Sequence, residues 1–270
     1  MLILRKTGEA TFEPLKLAAK VATDPLSDGM YITVPWNVVE PETGKLNFEW
    51  LHATSKLLGA KKLYIHFVYK DFDGSPVAPE GVEETPHKIG ATMAKVWEPE
   101  IGSQFIRATE HLMTELDGLP NVAGFDVSET AEGPLLVEYA KKKQLDIYNR
   151  DNMQAFIIEL MTAMSDSSYA YFNINFWPKV DVLLDAALKL GLGISHPDAM
   201  ARKDVDNNQK FKRFSRSLGI VSYAAVEDGM PAVEAWLKAY KPVIIVIQDT
   251  IAQTGVKSFK SIATKFRALK

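Results

Sequence analysis

The feature of this chain that most restricts its fold is an alternation. Eight short apolar runs of strand length are separated by stretches with a helical apolar repeat. The runs are Met1–Leu4, Met30–Val34, Lys62–Tyr69, Val122–Val127, Tyr169–Asn175, Gly191–Ser195, Gly219–Ala225 and Val243–Gln248. Helices are predicted over Glu13–Ala22, Phe48–Leu58, Glu100–Leu116, Asp151–Met164, Asp181–Leu190, Gln209–Leu218, Pro231–Ala239 and Ser258–Leu269. Asn47 is the expected N-cap of the second, Pro231 suits a first helical turn, and Gly191 and Gly219 suit helix stops. The runs are almost continuously apolar, as parallel strands covered by helices must be. Repeated βα units imply an α/β fold with a parallel sheet, and eight of them favour closure into a (β/α)8 TIM barrel. No linker or composition break interrupts residues 1–270, so a single barrel domain is expected.

Composition narrows the chemistry. The chain has no cysteine, which excludes disulfides, thiolate metal sites and a Cys nucleophile. With 31 Lys and Arg against 34 Asp and Glu, there is no basic excess for nucleic acid or a membrane surface. The apolar start ends at Leu4, too short for a signal-peptide core, so a cytoplasmic or non-classically exported protein is expected. No phosphate-cradling glycine motif and no Gly-x-Ser-x-Gly element occurs, and no cofactor is expected. His196 and Asp198, with His66, could serve a metal-assisted reaction, but no His-Glu-x-x-His spacing exists and no metal is expected.

Barrel enzymes build their sites where the strands end. Those ends carry Trp36, His66, Glu129, Asn173, Asn175, Trp177, His196, Asp198, Glu227 and Gln248. Carboxylates, amides, histidines and indoles suit a neutral polyhydroxy ligand, since ring faces stack on sugars and amides bond hydroxyls. Glu129 and Glu227 close the fourth and seventh strands, across the mouth from each other. Two such carboxylates can flank a glycosidic bond as acid/base and nucleophile. Alternation along the fourth strand puts Glu129 in phase with Phe125 and Val127, so a bulge or the strand's end must turn it inward. Asp126, in the opposite phase, is the substitute carboxylate.

The run Tyr31-Ile32-Thr33-Val34-Pro35-Trp36-Asn37-Val38-Val39-Glu40-Pro41-Glu42-Thr43-Gly44-Lys45-Leu46-Asn47-Phe48 resembles the second-strand segment of barrel glycoside hydrolases of the large retaining clan. The segment Gly124-Phe125-Asp126-Val127-Ser128-Glu129-Thr130 sits where that family places its acid/base, with Ser128 in place of the usual Asn. The resemblance implies Glu129 as acid/base and Glu227 as nucleophile. It also implies Trp177 and His196 as substrate contacts and an O-glycosidic bond cleaved with retention. The alternative is a non-catalytic carbohydrate-binding or structural barrel in a larger assembly. Either reading makes a carbohydrate the partner; the oligomeric state is left open.

Overall fold

A computed structural model describes residues 2–6, 12–71, 75–88, 91–128, 130, 149–174, 180–196, 212–221, 234–238, 241–248 and 259–268. In chain order these form β1 (Leu2–Lys6), α1 (Pro14–Thr23), β2 (Gly29–Pro35), α2 (Trp36–Val39), α3 (Glu49–Leu58) and β3 (Lys62–Val68). Next come β4 (Glu84–Lys88), β5 (Ala91–Ala94), α4 (Pro99–Asp117), β6 (Val122–Val127), α5 (Arg150–Met164) and β7 (Tyr171–Asn173). The series ends with α6 (Val180–Lys189), β8 (Gly193–His196), β9 (Ser217–Val221), β10 (Ile244–Gln248) and α7 (Phe259–Arg267).

Eight strands pair in the order β6-β3-β2-β1-β10-β9-β8-β7, every pairing parallel. The ends meet through a parallel bridge between Phe125 and Ala170, where the Phe125 N–H donates to the Tyr169 carbonyl at 3.0 Å. The sheet is therefore a closed barrel, and all eight expected strands belong to it. The short first strand is fully engaged: Leu2 to Lys6 pair residue for residue with Ile244 to Gln248. The remaining pair, β4 and β5, forms an antiparallel hairpin in the insertion after β3.

Local chemistry explains the helix boundaries. Pro14 and Pro99 open α1 and α4, where a missing N–H costs nothing. Asn149 caps α5, its side chain accepting from the Asp151 and Asn152 amides at 3.0 Å each. Gly191 follows α6 at φ +70°, a left-handed stop, as the sequence suggested. Helix α3 starts one residue later than expected, with Phe48 at the cap, although Asn47 Oδ1 still accepts from the Glu49 amide at 3.2 Å.

Two expectations are corrected. The segment Gln209–Leu218 is not helical where it is described: residues 212–216 form turns and irregular backbone, and Ser217 and Leu218 begin β9. Gly219 is accordingly no helix stop; it pairs with His196 and Ile245 inside the sheet. Leu218 fills the barrel interior, and that burial outweighs weak helix propensity.

Two parts of the core bear on the site. Between strands and helices, Phe105 of α4 stacks on Phe67 with centroids 4.7 Å apart and meets Trp36 and Tyr69 edge-on. Inside the barrel lies a separate cluster: Leu4, Tyr31, Tyr64, Tyr171, Leu218, Ile220, Ile244 and Val246.

Candidate functional site

Neighbouring barrel strands are staggered, so side chains from alternate strands share a height and fill the interior in layers of four. The strand pairings assign these layers. Gly29, Gly124, Gly193 and Ile244 form the lowest, below Leu4, Tyr64, Tyr171 and Leu218. Tyr31, Asp126, Ser195 and Val246 come next, and Lys6, His66, Asn173 and Ile220 lie above them, toward the C-terminal mouth. The glycines have a packing reason. A Cβ on Gly124 would sit 2.1 Å from the Tyr64 ring, and one on Gly193 would sit 2.4 Å from the Tyr171 ring. Small residues below make room for large ones above.

Polarity rises from floor to mouth. The two lower layers are glycine, aliphatic and aromatic, whereas the two upper ones carry Asp126, Ser195, Lys6, His66 and Asn173. His66 Nδ1 lies 2.6 Å from Asp126 Oδ1, a hydrogen bond between register partners of β3 and β6. Asp126 is fully buried, while the His66 side chain keeps 13% of its surface exposed. Tyr31 lies flat against His66, with ring centroids 5.6 Å apart, and the Lys6 ammonium lies 5.0 Å from the Tyr31 centroid. Burial, with the Asp126 charge adding to it, pushes the Tyr64 hydroxyl well above its ordinary pKa.

Asp126 Oδ2, Asn173 Oδ1 and Ser195 Oγ have no hydrogen-bond partner at close distance among the described residues, and the same holds of the buried Tyr64 hydroxyl, a donor beside the Asp126 carboxylate. Asp126, Asn173 and Ser195 are 0%, 3% and 0% exposed. Acceptors and a donor are thus buried together below the mouth.

The candidate residues fall into three groups. His66 and Asn173 are brought together in one interior layer below the mouth. Glu129, Asn175, Trp177, Asp198 and Glu227 lie outside the described residues, as do the side chains of His196 and Gln248, whose backbones end β8 and β10. Trp36 is placed elsewhere. It is fully buried on α2 against Phe105, and its Nε1–H donates to Glu40 Oε2 at 2.9 Å. A ring buried on that side of the sheet packs the core and offers no face to a ligand at the mouth. The chain turns into α2 directly after Pro35, which carries Trp36 off the strand's inward phase.

The run around Glu40 is a structural clamp. Its buried carboxylate accepts from Trp36 Nε1, from the Gly44 amide at 2.6 Å and from Gln104 Nε2 at 3.0 Å. It ties the loop after β2 to α4.

The strand carrying Asp126 alternates as expected, with Phe125 and Val127 in the helix-facing core. Ser195 was not singled out by sequence reasoning. A small polar residue inside an apolar strand is a faint signal, and only the barrel's stagger brings it level with Asp126. Among the described residues no cluster of three or more metal-ligating His, Asp or Glu side chains occurs. No helix among them is long and apolar enough to cross a membrane.

No protein-family model matches the sequence, and no curated protein does. Solved structures match in shape. The catalytic domain of β-amylase from Paenibacillus polymyxa superposes at TM-score 0.53 and 6% identity, over 91% of this chain and 92% of that one. A GH5_18 protein from Streptomyces cattleya, solved in complex with GlcNAc, gives TM-score 0.53 at 10% identity over 91% and 70%. The β-galactosidase of Halorubrum lacusprofundi gives TM-score 0.52 at 12% identity; the match covers 92% of this chain but only 52% of that one. Pairings and superpositions agree: the chain has the closed (β/α)8 TIM-barrel fold found in these glycoside hydrolases.

Proposed function

We propose that the protein is a glycoside hydrolase cleaving an O-glycosidic bond with two carboxylates, Glu129 as acid/base and Glu227 as nucleophile, with retention. The carbohydrate is held at the C-terminal mouth by His66, Asn173, Asn175, Trp177, His196, Asp198 and Gln248. The observation that carries the reading is the polar pair of layers under that mouth, above an aromatic and aliphatic floor. Barrel enzymes place their chemistry at this end, and a neutral sugar needs convergent hydrogen-bonding groups there.

The neighbours of Glu129 support its role. The Ser128 amide donates to the Phe67 carbonyl at 3.0 Å, and Ser128 Oγ accepts from the Tyr69 amide at 3.0 Å. The Thr130 amide donates to the Asn173 carbonyl at 3.2 Å. Both flanking residues are thus fastened to the adjacent strand ends, on the rim where an acid/base must act. Retention requires carboxyl groups about 5–5.5 Å apart, and the acid partner needs a raised pKa.

The test is turnover on a panel of chromogenic glycosides by the wild type, Glu129→Gln and Glu227→Gln. Each variant should lose at least about a thousandfold in kcat while its thermal unfolding stays unchanged. Wild-type turnover that survives in both variants would refute the assignment. Sugar binding without any turnover would select the non-catalytic carbohydrate-binding barrel instead.

A further inference from the structure

The imidazole of His66 is held from two directions. From one layer below, Asp126 Oδ1 lies 2.6 Å from Nδ1. A carboxylate oxygen only accepts, so Nδ1 carries the proton of this bond. Against the ring face lies Tyr31, its plane 25° from that of the imidazole. Tyr31 in turn stacks on Tyr64, with centroids 5.0 Å apart and planes at 15°. Tyr64, Tyr31 and His66 belong to successive layers, so three rings climb the barrel in file toward the mouth. The stack fixes the plane of the imidazole, and the hydrogen bond fixes its rotation within that plane.

Stability alone is a poor reason for this arrangement. An apolar pair of similar volume would fill a barrel interior without the cost of desolvating a carboxylate. The consequence of the bond is chemical: the partner of one ring nitrogen decides what the other presents. Nε2 is bonded by no described residue. It lies on the ring edge turned away from Asp126, and the side chain keeps 13% of its surface open. Asp126 itself, closed to solvent beside the Tyr64 hydroxyl, meets no ligand. A sugar hydroxyl both donates and accepts, so it can bond Nε2 from the mouth.

We infer that Asp126 and Tyr31 are positioning residues, which lock the His66 ring so that Nε2 meets a hydroxyl of the ligand at the mouth. This rests on the carbohydrate reading above and adds to it two residues that never touch the sugar. Asp126 sets which nitrogen is presented, and Tyr31 sets the plane in which it points.

NMR of the full chain with nitrogen-labelled histidine reads the lock directly. His66 Nδ1 should be protonated, and D-glucose, D-galactose or D-mannose should move the Nε2 resonance further than that of Nδ1. Isothermal titration with the same sugars measures the coupling. His66→Gln should weaken the responding sugar about tenfold, the size of one hydrogen bond to a partly desolvated group. Asp126→Ala should weaken it by a similar factor, whereas Asp126→Asn, which still offers an acceptor to Nδ1–H, should keep most of the affinity. Tyr31→Leu should weaken binding, and Tyr31→Phe, which keeps the stacked ring, should not.

An unprotonated Nδ1 in the wild type, or sugars that move neither nitrogen, would overturn the inference without any variant having to fold. Folded Asp126→Ala and Tyr31→Leu proteins that bind sugar as the wild type does would overturn it too. The hydrolase reading fails separately. Absence of turnover on the chromogenic glycosides, with Nε2 still responding to sugar, would remove hydrolysis and keep the lock. Turnover that needs Glu129 and Glu227, with KM unmoved in His66→Gln and Asp126→Ala, would remove the lock and keep hydrolysis.

Discussion

His66 and Asp126 are register partners on adjacent barrel strands, joined by a 2.6 Å hydrogen bond, with the acid fully buried and the imidazole at the edge of solvent. The acid holds the ring by one oxygen, and its charge helps keep the proton on the neighbouring Tyr64 hydroxyl. His66→Ala would strand a buried carboxylate. The expected loss is about 2–4 kcal/mol of unfolding free energy, less than for a fully enclosed pair because the imidazole is partly solvated. Adding Asp126→Asn should restore part of it. Urea unfolding of the two single variants and the double variant measures the coupling, and strict additivity would argue against it.

The glycine beneath a tyrosine makes a second prediction. Gly124→Ala places a methyl group 2.1 Å from the Tyr64 ring, so the ring must shift inside a packed barrel. The expected cost is about 1–3 kcal/mol. Tyr64→Leu in the same chain should recover much of it. A Gly124→Ala protein as stable as the wild type would contradict the packing.

Glu40 should matter for stability and not directly for chemistry. Glu40→Ala leaves the Trp36 indole N–H, the Gly44 amide and the Gln104 amide without their acceptor. About 1–3 kcal/mol should be lost, chiefly because the buried Trp36 N–H is left unmet, while water can reach the half-buried Gln104 and the exposed Gly44. Trp36→Phe keeps the ring contact with Phe105 and should cost about 1–2 kcal/mol. Thermal melting of both variants is the check; a loss of sugar affinity in Trp36→Phe at unchanged stability would return Trp36 to the site.

Alkaline stability follows from the buried phenols. Burial holds the hydroxyls of Tyr64, Tyr169 and Tyr171 above the ordinary value of 10.0. Each therefore keeps its proton in the folded state at a pH where the unfolded chain releases it. The folded state then binds more protons, so unfolding free energy falls as pH rises past about 10. Below that pH these groups contribute no slope. Tyr64→Phe should flatten the decline, and unfolding between pH 8 and pH 11 measures it.

Much of this architecture was legible before the structure. Apolar runs alternating with helical repeats predicted all eight barrel strands, because a strand covered on both faces must be apolar throughout. The phase of Asp126 was legible too: it sits between Phe125 and Val127, both helix-facing. The segment before β9 misled, since Phe211, Phe214 and Leu218 imitate a helical repeat while Leu218 is spent on the barrel interior.

The local code of this chain determined its elements, their order and the barrel they close, since periodicity, caps and glycine stops act over a few residues. Only the tertiary structure decided which polar groups meet. Asp126, Asn173 and Ser195 are far apart in sequence, and the stagger of the closed sheet sets Asp126 level with Ser195 and Asn173 one layer above. Trp36 is turned away from the mouth because a short helix begins directly after Pro35, the last residue of the strand. Height within a barrel depends on register accumulated around all eight strands, and no single stretch of sequence carries it.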